Sequence, residues 1–216
     1  MEDSNAITEN IQIIFSTDKQ GIANSINPAA HRYYYKKVFN TEKENILTFV
    51  MLNPSDADQY KPDPTIRNIE TIVKESKRYN GFAIINLFSY RTAKPKDLKN
   101  KILKIKNTEE KDEFTAKNLT YLKDYINGDV VLAWGTNAKG ICNKFDENYY
   151  KLVMEIFLKA NVNLYSYSKK LNRDNSPKHP GPLSFNKVNI NERELTKLII
   201  ESVNNKYSIK INHYKK

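Results

Sequence analysis

Cysteine is nearly absent. Cys142 is the only one in 216 residues, so the chain can build neither an internal disulfide framework nor a cysteine-based zinc cluster. Histidine is scarce too, and His31, His179 and His213 lie far apart in sequence, which argues against a histidine-rich metal site. No metal and no organic cofactor are expected. Long apolar runs are missing: none reaches the length that spans a bilayer, and the polar start "MEDSNAITEN" does not resemble a signal peptide. These gaps predict a cytoplasmic protein with no membrane partner.

What the chain has in excess is positive charge. Thirty-five Lys and Arg face 25 Asp and Glu, for a net charge of +10, and such an imbalance points to a polyanionic partner, nucleic acid first. A Lys-rich composition that serves only solubility would give the same number. With 39% hydrophobic residues, one core and one domain are expected. That domain is placed at 26–205, between a mobile N-terminal segment (1–25) and a basic C-terminal tail (206–216), in a monomer.

Four compact runs, "ILTFVML" (46–52), "FAIINLF" (82–88), "DVVLAW" (129–134) and "VNLYSY" (162–167), show little polar alternation, as strands buried on both faces do. Helical patterns separate them. In "DPTIRNIETIVKESKRYNG" the residues Ile66, Ile69, Ile72 and Val73 recur at helical spacing, Asp63 can cap, Pro64 suits the first turn and Asn80-Gly81 ends the helix. Further helices are predicted over 107–126 and 146–160. Alternating strand and helix give an α/β fold, a three-layer α/β/α sandwich on a central four-stranded parallel sheet.

In such sheets ligands bind outside the carboxyl ends of the strands. The first run leads into Asn53-Pro54-Ser55, the second ends at Asn86 with Arg91 beyond it, the third gives Trp134-Gly135-Thr136-Asn137, and the fourth precedes "SPKHPGPLSF" at 176–185. In that last segment Pro180 and Pro182 restrict the backbone and so hold His179 in a defined direction. All four segments converge on one sheet edge.

From residue 45 to about 200 the chain resembles the uracil-DNA glycosylase superfamily. "VVLAWGTNAKG" (130–140) is similar to that family's strand ending in Trp-Gly, and "HPGPLS" (179–184) differs from its His-Pro-Ser-Pro-Leu-Ser signature at one position. "FAIINLFSYR" (82–91) is similar to the strand that ends in the base-reading asparagine, and "LNPS" (52–55) takes the place of the water-activating loop. "HRYYYKK", "MLNPSDAD" and "DPTIR" also resemble a large uncharacterised prokaryotic and phage family, from which no activity carries over.

The superfamily resemblance implies roles. Asn53 falls where water is positioned; an amide cannot act as a carboxylate base, and Asp56 or Asp58 is close enough in sequence to supply one. Asn86 falls on the residue that reads the polar edge of a flipped pyrimidine, a task suited to an amide that both donates and accepts. His179 falls on the donor to the pyrimidine O2 as negative charge gathers on the leaving base. Leu183 falls on the apolar wedge that replaces the flipped base, while Pro54, Pro180, Pro182 and Ser184 shape the loops or contact phosphate. Arg91 and Trp134 belong to the substrate pocket, and Tyr60, Phe88 or Tyr90 would be the stacking ring. Lys178, with Lys94, Lys96, Lys139, Lys144, Lys169 and Lys170, would provide a phosphate footprint if these lysines line the crevice.

One departure bears on substrate. The uracil-specific class carries a tyrosine against C5 of the base, and Ser55 stands in that place. A small side chain there leaves room, so a 5-substituted pyrimidine in double- or single-stranded DNA is the expected substrate, with defence against phage carrying modified DNA as the setting. Two alternatives stay open: a non-catalytic sensor of modified DNA or nucleotides, and an N-glycosidase acting on free nucleosides or nucleotides.

Overall fold

Strands β1 (Asn10–Phe15), β2 (Arg32–Val38) and β3 (Ile46–Met51) come first, followed by helix α1 (Pro64–Ser76) and strand β4 (Gly81–Asn86). Helices α2 (Pro95–Ile105) and α3 (Glu110–Tyr125) then lead to β5 (Asp129–Leu132), α4 (Ala138–Phe145), α5 (Tyr149–Lys159) and β6 (Asn163–Ser166). The short α6 (Pro182–Phe185) and the hairpin β7 (Thr196–Val203) and β8 (Lys206–Ile211) complete the chain. The computed structural model describes residues 10–15, 31–39, 45–55, 63–92, 94–189 and 192–212.

The fold is mixed α/β. One eight-stranded sheet runs in the order β1-β2-β4-β3-β5-β6-β7-β8, twice the four strands expected. β3 pairs in parallel with β4 and with β5, and β5 in parallel with β6. β1-β2 join the β4 edge and β7-β8 the β6 edge, all antiparallel. Residues 206–211, read from sequence as part of a tail, are therefore the outermost strand of the sheet. The 1–25 segment holds β1 at 10–15; the rest of it lies outside the described residues.

Side-chain alternation along the strands sends alternate residues to opposite faces. Leu47, Phe49 and Met51 of β3 pack with Phe82 and Ile84 of β4 against Ile66, Ile69 and Val73 of α1. Val50, Ile85, Val130 and Leu132 pack on the other face against α2 to α5, through residues such as Leu98, Leu122, Phe145 and Val153. Helix α1 forms as its sequence dictates: the Asp63 carboxylate accepts from the Ile66 N–H at 2.9 Å, capping an orphan donor. It stops at Lys77, whose left-handed φ of 54° ends the helix short of the expected Asn80-Gly81.

Candidate functional site

β3 lies between β4 and β5, so the chain leaves β3 toward one side and later returns to pair on the other. The carboxyl ends of these strands thus form the switch point at which an open α/β sheet leaves a crevice. A cleft of about 950 Å³ opens there. Asn53 and Ser55 after β3, Asn86 at the end of β4, Trp134 to Asn137 after β5, and His179 all line it. Four segments far apart in sequence meet in one cavity. Its floor is apolar, from Met51, Ile66, Ile84 and Ile141.

Asn86 is the chemical centre. It is 5% exposed, and neither its Oδ1 nor its Nδ2 has a hydrogen-bond partner. A buried amide left unsatisfied costs about 1–3 kcal/mol, so the fold holds a donor and an acceptor ready for a ligand.

His179 is held from every side. Its Nδ1 accepts from the Gly181 N–H at 2.9 Å, and its carbonyl accepts from the Tyr167 hydroxyl at 3.0 Å. The Asn68 amide of α1 donates to the Pro180 carbonyl at 2.7 Å, and the Gly135 N–H donates to the Pro177 carbonyl at 3.1 Å. Gly135 has φ 79°, and a Cβ there would lie 3.0 Å from His179 Cβ; one on Gly181 would lie 2.8 Å from Nδ1. Only residues without side chains let the ring sit where it does. Burial lowers the His179 pKa to about 4, against the opposing pull of Asp63. The imidazole is therefore neutral, and because Nδ1 accepts, the proton resides on Nε2.

Asn53 is engaged with the backbone. Its Nδ2 donates to the Thr92 carbonyl at 2.8 Å and to the Pro54 carbonyl at 3.1 Å, which joins the loop after β3 to the loop after β4. Arg91 supports the same junction, its Nε reaching the Ser55 carbonyl at 3.5 Å, but it does not line the cleft. Asp56, Asp58 and Tyr60 lie outside the described residues. Asp63 is the carboxylate that lines the cleft among the described residues.

Phe88 is corrected from a stacking ring to a core residue. It is fully buried and stacks on Tyr149 at 5.1 Å, because the chain turns inward after Asn86. Trp134 lines the cleft from the core side, with its ring 6.0 Å from Phe157. Tyr90 packs edge-on to His31 at 5.7 Å and does not line the cleft. Leu183, on α6 next to the histidine loop, is 82% exposed, and Pro182 beside it is also exposed at the start of that helix. Pro54 and Pro180 are buried, whereas Lys178 and Ser184 are half-buried. Lys169 and Lys170 pair with Glu194 and Glu192 at 2.9 and 2.5 Å, and Lys139 lies over the Tyr150 ring, which weakens the footprint read from these three.

Sequence reasoning missed Arg32, Thr65 and Arg67. Arg32 is the first residue of β2, which runs antiparallel to β4 and so starts where β4 ends. It is 2% exposed and lines the cleft. Its signal was the polar-aromatic "HRYYYKK", whose mixed pattern hid a strand. Thr65 and Arg67 come from the first turn of α1.

Residues 32–181 match a family model described as Protein of unknown function (DUF1643). No curated protein and no solved structure matches the chain.

Proposed function

Since the chain belongs to the DUF1643 family, whose function is unknown, we propose from the chemistry of the cleft that it is a monofunctional DNA glycosylase related to the uracil-DNA glycosylase superfamily. It flips a 5-substituted pyrimidine out of DNA and hydrolyses its glycosidic bond, leaving an abasic site. The observation that carries this reading is the unpartnered Asn86 amide in the same cleft as a neutral His179 with its proton on Nε2.

A pyrimidine presents adjacent donor and acceptor atoms on its polar edge, which a buried amide can satisfy together. As the bond to C1′ stretches, electrons move onto the base and the sugar becomes oxocarbenium-like. A neutral Nε2–H donates to the oxygen on which that charge gathers; water then adds to C1′ and loses a proton to solvent, while the departing base anion takes one up from solvent. One preorganised donor of this kind is worth on the order of 3 kcal/mol in the transition state. Leu183 has the exposure and bulk to occupy the vacated stack, and half-buried Ser55 leaves space for a C5 substituent. The net charge of +10 favours approach to DNA, and excision of modified bases fits a defence against phage.

A second reading rests on Asn53. Its amide nitrogen is committed to two carbonyls and the residue is no base, so a sensor that binds the flipped base without cleaving it uses the same cleft.

Incubation with modified phage DNA, unmodified DNA, uracil-containing DNA and free nucleosides, followed by mass spectrometry of released base and alkali cleavage of abasic sites, separates these readings. Release from modified DNA is expected, with a fall of about a hundredfold in His179→Ala at unchanged DNA affinity. Tight binding without release would identify a sensor, and release only from nucleosides a nucleoside hydrolase.

A further inference from the structure

A polar pair stands inside the larger apolar core, directly behind the cleft. Asn118 of α3 is 3% exposed and Tyr149, the first residue of α5, is 1% exposed. Both point at one atom: the Leu87 carbonyl accepts from Asn118 Nδ2 at 3.1 Å and from the Tyr149 hydroxyl at 2.5 Å. Asn118 Nδ2 also donates to the Tyr149 oxygen at 3.2 Å. Leu87 follows Asn86 immediately. At this point β4 leaves the sheet, with the Leu87 and Phe88 N–H groups still bonded to the Met51 and Leu52 carbonyls. The Leu87 carbonyl turns into the core, where an unpartnered acceptor would be costly.

Apolar neighbours surround the pair: Phe88, Phe145 and Phe114 pack together there. A core of this kind gains nothing from polar groups except geometry, since two donors from two helices fix one carbonyl in direction as well as distance. We infer that Asn118 and Tyr149 are positioning residues that set the Asn86 amide by clamping the Leu87–Phe88 peptide, one residue beyond it. The inference rests on the reading of Asn86 as the base-reading residue. Misplacing a recognition group by about 1 Å can cost a hundredfold in rate, so the clamp acts on function without touching the ligand.

Tyr149→Phe and Asn118→Leu are compared with the unmodified protein, alone and combined with Asn86→Ala, in single-turnover excision of 5-hydroxymethyluracil and uracil from duplex oligonucleotides, with Tm measured for each. Each variant should lower excision about tenfold alone and cause no further loss once Asn86 is gone, because groups that act through one residue are non-additive. Equal losses in both backgrounds mark a general structural role and overturn the inference. Tyr149→Phe removes one oxygen and leaves Asn118 on the Leu87 carbonyl, so it carries the test if Asn118→Leu does not fold.

A second measurement needs no activity. The side-chain amide resonances of Asn86, identified by their loss in Asn86→Ala, should shift or broaden in Tyr149→Phe, and resonances that stay in place overturn the inference. If the unmodified protein releases no base from any DNA, the glycosylase reading falls, and the amide resonances decide the positioning role by themselves.

Discussion

Replacing Asn86 by leucine separates stability from recognition. Both polar atoms of this amide are buried without partners, so the native residue carries a desolvation cost that an apolar side chain of similar size does not. Asn86→Leu is expected to leave stability unchanged or raise it by about 1 kcal/mol while lowering base release about a hundredfold; a clear fall in the denaturation midpoint would mean that the amide is satisfied in the folded protein. Gly181 makes the converse case. Its φ of −64° suits any residue, yet a Cβ there would lie 2.8 Å from His179 Nδ1. Gly181→Ala should therefore move the ring and lower excision about tenfold with little change in Tm, and an unchanged rate would remove ring placement from the mechanism.

Among elements, α1 does the most for the site with the least sequence. Its cap, Asp63, and its first turn line the cleft, and Asn68 holds the histidine loop. Asp63→Ala should cost about 1 kcal/mol in chemical denaturation, and Asp63→Asn only a few tenths, because an asparagine oxygen accepts the same Ile66 N–H; equal losses would assign the effect to charge. This helix was legible because Ile66, Ile69, Ile72 and Val73 repeat at its period. The four parallel-paired strands were legible because burial on both faces makes them continuous apolar runs. β2 and the β7-β8 hairpin were not. Polar residues interrupt "RYYYKKV", and "TKLIIESV" is only partly buried along most of its length, so neither shows a clean period of two. The cleft residues visible in sequence, Asn53, Asn86, Trp134 and His179, each end a readable run or sit beside prolines. Arg32 starts a strand that could not be read, and Phe88 was misassigned because the chain's inward turn after Asn86 leaves no mark in composition.

At the scale of the whole molecule, acid stability depends on two histidines. His179 is lowered to about 4 by burial, and His31 to about 4 by burial together with Lys101 and Lys117. The unfolded chain binds these protons near the ordinary value of 6.5, before the folded protein does. Stability is therefore full above about pH 6.5 and declines as pH falls toward 4. Asp63 faces His179 and Ser89 bonds His31, and neither contact reverses the sign. Thermal melts should fall by several degrees between pH 7 and pH 5, a range in which exposed carboxylates remain mostly ionised. The double variant His31→Gln, His179→Gln should flatten that slope, and a native profile already flat would show that both rings take up protons without cost.

The contacts around the cleft form a hoop. Asn53 joins the loops after β3 and β4, Gly135 joins the loop after β5 to Pro177, and Asn68 ties α1 to Pro180. A mouth bound at three places does not close around its ligand as a hand does. It behaves more like a gauge: the cost of ordering it is met during folding, and whatever enters must already fit.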